Sequence, residues 1–216
     1  MSEATADQVR TWQQTKSEMT RGAILDAAVH CFHAYGYANT TTDRIARAAG
    51  VSRGAMLHHF PTRSDLISAA VVHLNTQRLA HFADEQSRIQ QGAEHSRIEE
   101  GIDTYWRQLN TPTFTVFQEL KIAARTDPEL EAVLTPALRA FDAAWGNAVR
   151  QIFPDLALSE AFVRTAYMTQ YLLEGMAVAK LTGGPTVPEE LMLSWLKREL
   201  RRSYQDVLTT ITLRDR

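Results

Sequence analysis

An all-α fold is the expectation for this chain, with a small N-terminal three-helix unit followed by a larger helical body. Three features carry that expectation. Apolar residues recur at helical spacing along most of the sequence, and no convincing alternation of the strand kind interrupts them. Residues 42–60 have the pattern of two short helices with a tight turn between them. Breaks at Gly36, Gly50, Pro61, Pro112, Pro128 and Gly183-Gly184-Pro185 cut the rest into pieces of helix length.

The elements follow in order. Residues 1–16 are polar and are expected to be a flexible arm. A helix over 17–36 is predicted by Ile24, Ala28, Cys31, Phe32 and Tyr35, and Gly36 ends it. Thr42 is the expected cap of a helix over 43–50, with Asp43 at the positive end of its dipole. Ile45, Ala46, Ala48 and Ala49 give that helix a face of little bulk. Gly50 can take the left-handed conformation that reverses the chain, and Val51 can plug the corner. Ser52 is the expected cap of a second short helix over 53–60. That helix opens with one long donor, Arg53, and two small residues, Gly54 and Ala55. Phe60-Pro61 breaks it, and Ser64 is the expected cap of a long helix over 64–90. Further helices are predicted near 95–109, 112–125, 128–153, 159–182 and 188–212. Their starts are marked by Thr111-Pro112, Asp127-Pro128, Ser159 and Pro188 with Glu189 and Glu190.

The string from Arg21 to Leu66 resembles, without a gap, the DNA-binding domain of the TetR family of tetracycline-repressor-like transcriptional regulators. The resemblance rests on Phe32 to Tyr37, Thr41-Thr42, Ile45-Ala46, Ala49-Gly50-Val51-Ser52, Gly54, His58-His59-Phe60-Pro61, Arg63, Asp65 and Leu66. It implies a double-stranded DNA operator as partner and a recognition helix laid in the major groove. Ser52, Arg53 and Gly54 are the candidates for base edges or phosphates. Thr42 and His58 are candidates for phosphates, with Thr41 and Arg44 behind them. Phe32, Ile45, Val51 and Phe60 should form the small core. The chain departs from the family at Leu57, where a tyrosine usually reaches a phosphate; Leu57 has no donor for that contact.

The last two helices carry a second pattern. Between Phe162 and Leu181 apolar side chains point in nearly every direction, so that helix must be covered on more than one side. In the final helix Leu193, Leu196, Leu200, Tyr204, Val207 and Ile211 form one stripe, widened by Met192, Trp195 and Leu208. Two such helices per chain can pair across a twofold axis as a four-helix bundle, and the resemblance implies the same homodimer. The alternative is that these faces are intramolecular core. Between the two ends lie Trp106, Phe114, Phe117, Phe141, Trp145, Tyr167, Met168 and Tyr171, amid polar residues that include Gln118, Gln170 and Glu174. Apolar walls with a few polar anchors suit a small-molecule effector of largely apolar character; plain core packing is the other use of such residues. Glu174, crowded by Leu172, Leu173, Met176 and Ala177, needs a partner, which could be Arg164, another protein donor, a water or a ligand.

The expected organisation is therefore a flexible arm over 1–16, a helix-turn-helix domain over 17–63 and a ligand-binding and dimerisation domain over 64–216. The composition, 44% hydrophobic and 22% charged over 216 residues, suits a cytoplasmic protein with a sizeable core. No apolar run approaches the roughly 20 residues that span a bilayer, so no membrane partner is expected. The only cysteine, Cys31, lies on an apolar helix face and suits packing. The net charge of −2 is no positive argument for DNA, though residues 1–65 hold seven Lys/Arg against six Asp/Glu. No His-Glu-x-x-His, phosphate-binding glycine loop or Gly-x-Ser-x-Gly elbow occurs, and His30, His33, His58, His59, His73, His81 and His95 lack metal-site spacing. No catalytic residue, metal or cofactor is expected. The function predicted is a ligand-responsive transcriptional regulator, a repressor released from a palindromic operator by its effector. An activator or constitutive DNA binder of the same fold, or a protein–protein adaptor, are the alternatives.

Overall fold

The computed structural model describes residues 3–91, 96–154, 156–184 and 187–214. Among them there are nine α-helices and no strand. They are α1 (Glu3–Tyr35), α2 (Thr42–Ala48), α3 (Arg53–His59), α4 (Arg63–Gln91), α5 (Arg97–Leu109), α6 (Pro112–Ala124), α7 (Pro128–Ile152), α8 (Glu160–Lys180) and α9 (Glu189–Arg214). A 3-10 turn, Leu156–Leu158, precedes α8. His95, Pro185 and the side chains of Leu208 and Ile211 lie outside the described residues.

Most boundaries fall where the sequence predicts, because the signals are local. Gly36 and Gly50 take φ of 78° and 67°, the left-handed conformation that ends α1 and turns α2 into α3. Ser52 accepts from the Ala55 amide at 3.1 Å, Asp127 from the Leu130 amide at 3.1 Å and Ser159 from the Phe162 amide at 3.4 Å, each satisfying a free first-turn N–H.

Three expectations need correction. The segment expected as an arm over 1–16 is helical from Glu3 onward. Glu, Ala, Gln, Arg and Lys make up most of it and it has no Pro or Gly, so backbone propensity continues α1 although no apolar stripe marks it. Thr42 is the first residue of α2, and Thr41, in extended conformation, is its cap, accepting from the Arg44 amide at 3.3 Å. Ser64 does not cap α4. Thr62 and Asp65 do so reciprocally: the Asp65 amide donates to Thr62 Oγ1 at 3.0 Å and the Thr62 amide to Asp65 Oδ2 at 3.1 Å.

The chain forms two compact units that do not follow a break at residue 63. The first comprises residues 1–76 and 119–137; the second comprises 77–118 and 138–216. The first is built on Ile24, Cys31, Phe32, Ile45, Met56, Phe60, Leu66 and Val71, all at most 3% exposed. Val51 is half-buried at its rim. Burial raises the pKa of the Cys31 thiol, as suits a packing residue. In the same unit Glu119 accepts from the Tyr37 amide, and Asp127 from the Tyr37 hydroxyl at 2.8 Å. The second unit is built on Phe82, Ile102, Tyr105, Trp106, Phe141, Leu173, Leu196 and Leu200.

The close seat of Glu119 makes Gly36 doubly constrained. A Cβ there would stand 2.5 Å from Glu119 Oε1, on a backbone at positive φ. Gly36→Ala is expected to cost about 1–2 kcal/mol for the left-handed conformation alone. Thermal denaturation should show a Tm lowered by several degrees; an unchanged Tm would mean that the corner does not need a glycine.

Candidate nucleic-acid interface and ligand cavity

α2 packs on α1, and α3 on α2, so the short helix α3 is carried by the first unit's core. Met56 is its anchor, 1% exposed, and Phe60, 3% exposed, closes it. With those positions inward, helical spacing turns Arg53 and Leu57, and Gly54 and His58, to the solvent side together; all four are exposed, as is Ser52. Arg53 lies 3.7 Å from Asp43 with 71% of its side chain exposed, a contact too wet to hold it firmly. At Gly54 a Cβ would meet nothing nearer than Ser52 Oγ, at 3.9 Å. The fold itself therefore has no need of glycine here, although glycine in a helix costs about 1 kcal/mol relative to alanine. An outside surface approaching that spot closely would need it.

The other predicted contacts divide. Thr41 is exposed, and Thr42 is half-buried in the first turn of α2. Arg44 is turned back on its own unit: it donates to the Asn39 carbonyl at 2.6 Å and lies 4.8 Å from the centre of the Tyr35 ring. Of the cations on α2, Arg47 was not singled out from sequence; it is exposed and donates to the Asp43 carbonyl at 3.3 Å.

The second unit contains a cavity of about 110 Å³, walled by Phe82, Ile89, Ile98, Ile102, Trp145 and Leu173 among others, with Ala166 and Leu200 at its edge. A smaller-walled space of about 200 Å³ lies beside Phe114, Phe141 and Arg78, and Tyr105 and Gln108 border both. Only Trp145 of the eight predicted ligand residues lines the first cavity; Phe114 and Phe141 line the second. The remaining five have other work. Trp106 is buried, its indole donating to Glu189 at 2.5 Å. Phe117 and Phe141 flank the Arg78 guanidinium, whose centre lies 4.6 and 3.3 Å from their rings. The Tyr167 hydroxyl would lie 3.1 Å from a Cβ at Gly146. Tyr171 is 66% exposed and Met168 64%. Glu174 finds its partners within the protein: it accepts from the Tyr105 hydroxyl at 2.7 Å and from Gln170 at 3.1 Å. Burial brings Arg78 down to about 10 and raises Tyr105, with the Glu174 carboxylate favouring the charged arginine and disfavouring the phenolate.

The predicted dimer stripe is corrected in the same way. Leu196 and Leu200 are 6% and 7% exposed in the unit's own core, and Leu193 packs partly against it. Tyr204 meets the Phe153 ring edge-on at 6.3 Å, and Val207 is half-buried. α9 turns this stripe inward because α5 and α8 pack along it. The apolar side chains left outside are Met168, Tyr171 and Val178 on α8, and Leu191 and Trp195 on α9. Among the described residues no helix is long and apolar enough to cross a membrane.

Known proteins bear on this arrangement. A family model described as bacterial regulatory proteins, tetR family, matches residues 24–70. An uncharacterised HTH-type transcriptional regulator of Mycobacterium bovis is 30% identical over 175 residues, covering 78% of this chain and 86% of that protein. An HTH-type transcriptional repressor of Mycobacterium tuberculosis is 41% identical over 69 residues, 32% of this chain and 36% of its own length. The crystal structure of the multidrug binding protein EbrR complexed with ethidium shares the fold, with a TM-score of 0.59 at 21% identity over 85% of this chain and 97% of that one.

Proposed function

The chain belongs to the TetR family of bacterial regulatory proteins, and from that premise we propose that it is a homodimeric, ligand-responsive repressor, released from a palindromic operator by a small, largely apolar effector. Its relatives are DNA-binding transcriptional regulators and not enzymes. One observation carries the finer reading. Ser52, Arg53 and Gly54 stand exposed on the first turn of α3, with a glycine that the fold does not require. A helix so presented lays its first turn against base edges in the major groove, and phosphate contacts from Thr42 and His58 would set its register. Acting on DNA, the protein works in the cytoplasm.

The exposed apolar residues of α8 and α9 support the twofold partner. Met168, Tyr171 and Val178 run along one side of α8 with Gly175 between them, a position where an added Cβ would meet nothing. Such a face allows close helix–helix approach by a second copy. The coupling runs along α4, whose residues to Thr76 belong to the first unit and whose later residues, Phe82 to Ile89, wall the cavity. A ligand that moves this helix alters the spacing of two recognition helices, which DNA holds about 34–36 Å apart. Ligand and operator then oppose each other, by a coupling typically of about 1–3 kcal/mol.

Selection of bound genomic fragments followed by footprinting tests the reading. Two related half-sites and a dimer by sedimentation are expected; a monomer with a single asymmetric footprint would reject it. Leu57, 41% exposed on α3, adds a sharper check. Leu57→Tyr supplies the hydroxyl that the family usually carries there and is expected to strengthen operator binding by about 0.5–1.5 kcal/mol, the worth of one hydrogen bond. Gel-shift titration would show it; no change would mean that this position faces no phosphate.

A further inference from the structure

The side chains around the cavity of about 110 Å³ divide sharply in their hydrogen bonding. Three buried polar atoms among its lining residues have no hydrogen-bond partner among the described residues: Trp145 Nε1, Arg97 Nε and Gln108 Nε2. An indole and a guanidinium can only donate, and the Gln108 amide supplies a third donor. Two lining acceptors, by contrast, are engaged. Glu85 is held by Arg88 at 3.0 Å and Arg107 at 3.8 Å. Thr104 Oγ1 accepts from Arg107 at 2.9 Å. The Gln86 amide nitrogen donates to Gln151 Oε1 at 2.5 Å. The Thr169 hydroxyl donates to the Thr165 carbonyl at 2.9 Å. The remaining wall is aliphatic and aromatic.

Buried donors without acceptors are costly, and a ligand that supplies the acceptor removes that cost on binding. A dry apolar cavity of about 150 Å³ holds one benzene molecule, which sets the scale here. Resting on the ligand-responsive reading above, we propose that the effector is an apolar molecule of about one aromatic ring that carries a carbonyl or carboxylate oxygen and no cationic group. Its ring lies among Phe82, Ile102, Trp145 and Leu173, and its oxygen meets one of the orphaned donors. A cation would face Arg97 and could reach Glu85 only by displacing two arginines.

Four probes on one ring separate the possibilities: toluene, acetophenone, benzoate and benzylammonium, titrated calorimetrically against the full chain. Acetophenone or benzoate should bind at least tenfold more tightly than toluene, and benzylammonium no more tightly than toluene. A lead for benzoate assigns the oxygen to an anion beside Arg97, and a lead for acetophenone to a neutral carbonyl; both support the proposal. Equal affinities, a lead for benzylammonium, or no binding by any of the four would overturn it. Trp145→Phe keeps an aromatic side chain and deletes a donor that has no partner among the described residues. It should reduce the preference of the oxygen-bearing probe over toluene several-fold. Failure here is distinguishable from failure of the regulator reading: an operator released by a cationic dye but not by these oxygens would keep the latter and reject the former.

Discussion

Phe32→Ala is expected to destabilise the first unit by about 3–5 kcal/mol, the usual cost of emptying a buried aromatic site. Phe32 is 1% exposed and meets the Tyr37 ring at 6.0 Å, in a core whose other large members are Ile24, Ile45, Met56 and Leu66. Two of those, Ile45 and Met56, fix α2 and α3, so the loss reaches the recognition helix directly. Domains are commonly stable by only about 5–15 kcal/mol, so DNA binding should fail on warming well before the wild type does. The chain supplies its own reporter. Cys31 is the only cysteine, fully buried, and its thiol is held protonated by burial. Thiol labelling therefore measures opening of this unit alone. It should be markedly faster in Phe32→Ala, and Phe32→Leu should fall between. Labelling at the wild-type rate, with an unchanged urea midpoint, would show that Phe32 is not the keystone that its burial indicates.

What could be read from the sequence was what local chemistry decides. Gly36, Gly50, Ser52, Asp127 and Ser159 mark turns and caps through their own backbone or side-chain atoms, and each does so in the structure. Where two candidate caps stand close together the choice is not local. Thr41 and Thr42 are chemically the same, and only the extended φ and ψ of Thr41 separates them. Thr62 prevails over Ser64 because Asp65 stands three residues after it and can reciprocate. The start of α1 was hidden because helix content there comes from propensity without an apolar stripe. The cavity was hidden for a different reason. Trp106 and Trp145 have equal apolar weight in a sequence, yet one indole is bonded to Glu189 and the other, at a cavity wall, has no partner among the described residues. Arg97 and Gln108, which carry buried donors beside the cavity, have no marker in the sequence and pass for surface residues of α5. The terminal helices show the same limit. Periodicity reveals that α9 has an apolar stripe but not what covers it, and Leu196 and Leu200 face inward while Leu191 and Trp195 remain outside.

Arg53→Ala is expected to weaken operator binding by about 1–3 kcal/mol, roughly 5- to 150-fold, with little change in stability. The folded protein loses almost nothing, since this guanidinium is largely exposed and its ion pair with the exposed Asp43 carboxylate spans 3.7 Å. That pair bears on the reading of the experiment. Asp43 must release Arg53 as DNA approaches, and its own charge repels phosphate. Asp43→Asn should therefore leave binding equal or slightly stronger, although it removes the arginine's ion-pair partner. A base contact and a phosphate contact can then be told apart. If Arg53 reads a guanine edge, the loss appears at one operator position and the preference there relaxes. If it holds a phosphate, affinity falls alike on all sequences and the slope of log K against log salt becomes shallower by about one. Gel-shift titrations on operator and scrambled duplexes at three salt concentrations distinguish the two. Unchanged affinity throughout would mean that the first turn of α3 does not face the DNA, and the register of the whole recognition helix would have to be redrawn about Met56.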